Sequence, residues 1–216
     1  MPMEKHADKL ERARKIIALL KEQYPDAGCT LDFADVHQLL VATTLSAQCT
    51  DERVNIVTKE LFKKYRSIDD YAQADLEQLG GDVYGAGLHN SKAKSIKRSA
   101  QQLLERHDGK MPRALEELTK LAGVGRKTAS VILGAGFGLA EGVVVDTHVA
   151  RISRLLKLTN QKDAVKIERD LMKVIPKADW IIFAHLIIAH GRAVCIARRP
   201  KCGECVVNDL CPSAEM

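Results

Sequence analysis

At 216 residues the chain is long enough for one generous domain or two small ones, and at that size it folds without disulfides. Apolar residues make up 46% of it but aromatics only 4%, and Leu, Ala and Ile fall singly or in pairs rather than in alternating runs, which favours helices over sheet. The formal charge of +5 admits an acidic partner without demanding one. The longest apolar stretches, such as 180–189, fall short of the roughly 20 residues of a membrane span, and the charged start MPMEKHADKL has no apolar signal core, so a soluble cytoplasmic protein is expected.

Over 7–24, Leu10, Ala13, Ile16, Ile17 and Leu20 recur at three- and four-residue intervals and predict a helix that Pro25 and Gly28 end. A second helix fits 36–47. A third starts with Asp51 as its N-cap and runs through Val54, Val57 and Leu61 to Tyr65, and a shorter one spans 71–79. Four glycines in GGDVYGAGLHN, residues 80–90, predict a long loop of the kind that carries function. Ser91 then caps a basic helix with Ala93, Ile96, Ala100, Leu103 and Leu104 facing inward and Lys92, Lys94, Lys97 and Arg98 facing out.

After Pro112, a helix over 113–121, the turn Gly123-Val124-Gly125 and a helix over 127–137 form a helix–hairpin–helix pattern. The one extended candidate is 142–145, just before Asp146; helices resume over 147–157, 163–175 and 180–190. His185 and His190, five residues apart, do not share a helical face, and read as core or interface histidines rather than ligands.

Two constellations carry chemistry. Cys195, Cys202, Cys205 and Cys211 are spaced C-x6-C-x2-C-x5-C within the last 22 residues, far from Cys29 and Cys49. Four converging thiolates suit zinc or a four-iron cluster, and only Cys202 and Cys205 form the short knuckle that structural zinc sites usually repeat. In the hairpin, Gly123 and Gly125 permit positive φ and close backbone approach, and the amides opening the next helix can point at a phosphate beside Arg126 and Lys127. A plain helix connection would use the same glycines.

LAGVGRKTA at 121–129 resembles the hairpin of the endonuclease III family, VDTHV at 145–149 its catalytic-aspartate segment, and LSAQCTD at 45–51 its helix-start signature. GLHNSKA at 87–93, HGR at 190–192 and the cysteine spacing also fit, so the resemblance runs from about residue 10 to 212 in consistent order. It implies an all-α, bilobal helix–hairpin–helix DNA glycosylase fold. A six-helix barrel would span 29–139, residues 1–28 and 140–216 would form the iron–sulfur lobe, and DNA would cross the groove between them. It also implies a [4Fe-4S] cluster on the four cysteines.

By the same resemblance, Lys127 would be the nucleophile. Its neutral amine would attack the sugar C1′, expel the damaged base and form a Schiff base. Asp146 would take a proton or stabilise positive charge on the sugar, although an Asp before Thr147 also suits an ordinary N-cap. Gln48 and Leu88 would fill the gap left by an extruded nucleotide. His89 stands where family members frequently carry Tyr. Arg198, Arg199 and Lys201, on the loop between two cluster cysteines, would contact phosphates.

The expected activity is removal of oxidised pyrimidines from double-stranded DNA followed by strand cleavage at the abasic site, by a monomer working at the nucleoid. A monofunctional mismatch glycosylase of the same superfamily would lack the hairpin lysine. A non-catalytic DNA-binding module would have no need of both Lys127 and Asp146.

Overall fold

Helices account for every regular element among residues 4–214, the part of the chain that the structure, a computed structural model, describes. The chain divides into two units: residues up to Cys29 together with those from Gly142 onward, and Thr30–Glu141.

Local chemistry explains where the helices begin and end. The first, α1 (His6–Gln23), buries Ala13, Ile16, Ile17 and Leu20 on one face. Asp35 caps α2 (Val36–Leu45) by accepting from the His37 and Gln38 amides. This helix stops short of the expected 47 where the Ser46 hydroxyl turns onto the Thr43 carbonyl and the chain enters a left-handed residue at Gln48. The cap of α3 (Asp51–Lys64) is Thr50 rather than Asp51, since the Thr50 hydroxyl accepts from the Arg53 amide.

The single helix expected over 71–79 is two. A reciprocal capping box between Ser67 and Asp70 opens α4 (Ile68–Gln73), and Asp75 separately caps α5 (Leu76–Asp82). The glycine-rich loop is correspondingly shorter than expected, because α5 takes in Gly80 and Gly81 and a 3₁₀ turn occupies Tyr84–Ala86. A Cβ on Gly80 would stand 3.2 Å from Asn90 Oδ1, so the bare glycine face lets the next helix begin alongside. That helix, α6 (His89–His107), starts two residues ahead of Ser91, with Leu88 in the cap position and no side-chain cap.

Beyond it come the short α7 (Leu115–Leu118) and α8 (Arg126–Val131), the latter running into a π-helical turn at Ile132–Gly136. No strand occurs among the described residues, so 142–145 is irregular chain leading into α9 (Thr147–Leu155), α10 (Ala164–Val174) and α11 (Trp180–Ala193).

In residues 30–141, α4 and α5 lie along α6, and α2 packs against α3, α6 and α8, burying Leu39, Leu45, Val54, Leu79, Ile96, Leu103, Leu118, Ile132 and Leu133. Ala93, Ile96, Ala100 and Leu103 of α6 face inward as expected. Lys92 does not face out: it is only 5% exposed, on the same stripe as Ile96, Ser99 and Leu103. No helix is long and apolar enough to cross a membrane among the described residues.

In the other unit, α1, α9, α10 and α11 enclose Ile16, Leu20, Ile152, Leu171, Phe183, Leu186 and Ile187. The close approach of α11 to α9 depends on Gly191, where a Cβ would fall 2.5 Å from His148 Nδ1 and 2.9 Å from Ile152 Cδ1. Gly191→Ala should therefore displace His148 and lower stability by about 1–3 kcal/mol, the usual range for overpacking. A thermal melt checks this, and an unchanged Tm would mean that the helices separate without strain.

Candidate nucleic-acid interface and metal centre

The hairpin is shaped by a glycine that the fold requires and a glycine that it does not. Gly123 sits at φ 76°, and a Cβ there would come within 2.7 Å of Ser95 Cβ on α6, so both conformation and packing exclude a side chain. The turn is also held by the buried Gln102 of α6, whose Oε1 accepts from the Ala122 amide at 2.7 Å and whose Nε2 donates to the Lys120 carbonyl at 3.2 Å. Buried Val124 anchors its apex. Gly125, the cap residue of α8, is extended, and nothing lies within 4 Å of the place a Cβ would take. Its bareness leaves the backbone open to close approach from outside, with Arg126 and Lys127 exposed on the first turn of α8.

Gln48 and Leu88 share an uncommon backbone. Both are exposed, Leu88 by 58%, and both are left-handed, at φ 56° and φ 47°. Two other non-glycine residues with positive φ, Asp108 and Lys157, follow the ends of α6 and α9, where left-handed residues commonly stop helices. Gln48 and Leu88 instead precede α3 and α6. Beside Leu88, the His89 ring lies against that of Tyr84, which is 70% exposed, with centroids 4.8 Å apart.

Both segments are tied down from within. Lys92 Nζ donates to the Leu45 carbonyl at 2.8 Å and to the Ala86 carbonyl at 2.7 Å. Burial pulls its ammonium below the ordinary lysine range while the nearby Cys49 thiol opposes the shift. From α3, Arg53 Nε donates to the Gly85 carbonyl at 2.9 Å. A Cβ on Gly85 would meet Arg53 Nη2 at 2.9 Å, which explains that glycine.

Asp146, half-buried, is the N-cap of α9: its Oδ1 accepts from the Val149 amide at 2.7 Å. The cap fixes the direction of the carboxylate.

Cys195, Cys202, Cys205 and Cys211 line one cavity of about 90 Å³, with Ile152, Leu155 and Val207 among its apolar walls. Burial pushes the Cys205 thiol up, a backbone hydrogen bond at Val207 draws it down, and the thiols of Cys195, Cys211 and Cys202 push it up again. Positive charge beside a thiol favours its ionised form.

The surroundings supply some of that charge. Arg151 donates to the Cys195 carbonyl at 2.6 Å and lies 3.6 Å from its Sγ. Buried His190 links the Tyr24 hydroxyl, 3.1 Å from Nδ1, to Cys205 Sγ, 3.5 Å from Nε2, so it is a core histidine with a place beside one of the cavity thiols. Four thiols lining one apolar-walled cavity are a donor set that fits a four-iron cluster. Arg198, Arg199 and Lys201 are all exposed on the loop between Cys195 and Cys202, Lys201 within 3.9 Å of Glu204.

The composition of the chain did not single out Lys92, Gln102, Arg53 or Arg151. Only Lys92 carried a readable signal, its place on the 92, 96, 99, 103 stripe.

Residues 41–177 match the model of the HhH-GPD superfamily of base excision DNA repair proteins. Residues 195–211, from Cys195 to Cys211, match the iron–sulfur binding domain of endonuclease III. The hairpin and the cysteine lobe thus belong to a helix–hairpin–helix base-excision repair protein.

The chain is 50% identical over 213 residues to an endonuclease III of Synechocystis sp., covering 99% of this chain and 97% of the relative. It is 44% identical over 191 residues to an endonuclease III of Bacillus subtilis, covering 88% and 87%. Its structure is similar to that of a trapped endonuclease III–DNA covalent intermediate, with a TM-score of 0.89 at 40% identity and 98% of each chain covered. The chain belongs to the endonuclease III family. It is a DNA-binding, bifunctional DNA glycosylase and abasic-site lyase of base excision repair that acts on oxidised pyrimidines, and its cofactor is a [4Fe-4S] cluster.

The purified protein should be yellow-brown and carry about four irons per chain. Cys202→Ser should remove the colour and lower the iron content, whereas Cys29→Ser and Cys49→Ser should leave both unchanged. Stoichiometric zinc in a colourless folded protein would overturn the assignment.

Proposed function

We propose that Lys127 is the nucleophile of the glycosylase and lyase steps. The supporting observation is its exposure on the first turn of α8, two residues after a cap glycine whose surroundings are open. The neutral amine adds to C1′ as the C1′–N bond to the base breaks, the departing base takes up a proton, and ring opening leaves an imine between Lys127 and the sugar. Loss of a C2′ proton then expels the 3′ phosphate and cleaves the strand. Asp146, oriented by its cap bond to Val149, is the carboxylate that stabilises positive charge on the sugar or takes the proton of the attacking amine.

Cys195, Cys202, Cys205 and Cys211 hold the cluster, which fixes the basic loop on which Arg198, Arg199 and Lys201 meet phosphates. Gly123 and Gly125 shape the hairpin for a further phosphate contact. Gln48 and Leu88 occupy the gap left when the damaged nucleotide turns out of the stack, with His89 beside them; extrusion costs a few kcal/mol, less for a damaged pair. The residue 30–141 unit is the barrel that carries hairpin and wedge, and the other unit is the cluster domain. The substrate is duplex DNA holding a damaged pyrimidine or an abasic site, met by a monomer at the nucleoid.

Borohydride added during reaction with abasic DNA should trap a covalent adduct with the wild type and none with Lys127→Ala, which should still bind DNA. Asp146→Asn should bind normally and react more slowly by roughly 10²-fold or more. Trapping that persists in Lys127→Ala would move the nucleophile elsewhere.

Binding should weaken steeply with salt, and Arg199→Glu or Lys201→Glu should lower affinity for damaged and intact duplex alike and reduce the salt slope. Affinity that is flat between low and physiological salt, by fluorescence anisotropy, would rule out a phosphate-led interface.

A further inference from the structure

We propose that Lys92 is a positioning residue for base extrusion, a buried cross-link that sets the two wedge-bearing segments at a fixed separation. The inference rests on the reading of Gln48 and Leu88 as the gap-filling pair.

Lys92 is an ammonium only 5% exposed, with no carboxylate among the described residues paired to it. A lysine so placed is poorly explained as a source of stability, since removing its charge from water is unfavourable and an apolar side chain of similar length would fill the space. What a long apolar side chain could not do is donate to two carbonyls from different segments. Lys92 Nζ reaches the Leu45 carbonyl at the C-terminal end of α2, three residues before Gln48, and the Ala86 carbonyl, two residues before Leu88.

Both carbonyls precede exposed residues whose left-handed backbone is held against its own preference. The Lys92 stem emerges from the first turn of α6, so the bridge is anchored in the longest helix of its unit. Arg53 secures the neighbouring Gly85 carbonyl, which leaves the spacing between the two segments as the separate contribution of Lys92. A wedge that must enter a stacked duplex gains from arriving already shaped, because ordering it during extrusion would oppose the reaction.

The test is a double-mutant cycle on single-turnover excision of an oxidised pyrimidine from duplex DNA, using cluster-containing protein. Leu88→Ala alone should slow excision, and if it does not, the gap-filling reading itself fails. Given that loss, Lys92→Met should slow excision by about tenfold in the otherwise wild-type protein but by less than about twofold on the Leu88→Ala background, as residues acting through one another do. The same factor on both backgrounds would overturn the proposal and leave Lys92 as a structural residue.

A 2-aminopurine placed opposite the lesion gives a second readout. Its fluorescence rise on mixing, which reports unstacking, should be slowed by Lys92→Met in parallel with excision, and an unchanged rise would also overturn the proposal. Should Lys92→Met fail to fold, as judged by helical circular dichroism and iron content, Lys92→Gln takes its place in the same cycle, since the shorter amide keeps polarity but cannot span both carbonyls.

Discussion

An exposed turn keeps its outward backbone groups open to solvent, so whatever holds it in shape has to come from behind. In residues 30–141 much of that support comes from α6. Near its N-terminal end Lys92 takes the Leu45 and Ala86 carbonyls, and three turns later Gln102 takes the Lys120 carbonyl and the Ala122 amide. Between them Ser95 presses on Gly123 so closely that no side chain fits. An unpartnered buried backbone group costs about 1–3 kcal/mol, so these polar contacts are what reconcile the connections into α3 and α6 and the hairpin turn with an otherwise apolar helix face. The π-helical turn after α8 continues the same packing, since a Cβ on Gly136 would meet Val36 Cγ1 at 2.8 Å.

The second unit solves a different problem with the same economy of means. Four thiols gathered in one apolar-walled cavity are held by a short tail whose 3₁₀ turns at Cys202–Glu204 and Asn208–Leu210 carry little core of their own. Side chains from distant helices close the tail. Arg12 of α1 donates to the Leu156 and Leu210 carbonyls and Arg151 of α9 to the Cys195 carbonyl, and within the tail itself Asn208 donates to the Cys202 carbonyl. Bound irons would complete the fold of this tail, and that is how a basic loop with three exposed cations and no regular structure can present them in a fixed arrangement.

Periodicity made most of this legible. The inward face of α6, the buried stripe of α1 and the pattern of a glycine turn between two helices all follow from spacing, and four cysteines so close together announce a metal site. The errors have separate physical causes. A single helix is expected over 71–79, but Asp75 caps a new helix at Leu76 and divides it, while the Ser67–Asp70 capping box opens the first one at Ile68. Gly80 and Gly81 suggested a loop, yet a glycine tolerated in a helix is what permits α5 and α6 to meet. Lys92 was read as outward on charge alone although its position falls on the buried stripe, and the residue type outweighed the geometry. Arg151 and Gln102 were not legible, since their partners are backbone groups 44 and 18 to 20 residues away in sequence.

The backbone of Gln48 and Leu88 separates functional from architectural strain. Where this chain needs positive φ for a turn it generally has glycine, as at Gly87, Gly109, Gly123 and Gly138, and its two helix-ending exceptions, Asp108 and Lys157, stop helices in the ordinary way. Gln48 and Leu88 stand instead in the short connections that lead into α3 and α6, and holding a side-chain-bearing residue in the left-handed region costs roughly 1–2 kcal/mol. Glycine at either place would relieve the strain and stabilise the fold while deleting the side chain that the backbone holds out to solvent. Both side chains are exposed, so the strain is held at residues whose side chains contribute little to the core. Strain at Gln48 and Leu88 and the buried bonds of Lys92 thus belong to one arrangement, since Lys92 holds the Leu45 and Ala86 carbonyls just ahead of both strained residues.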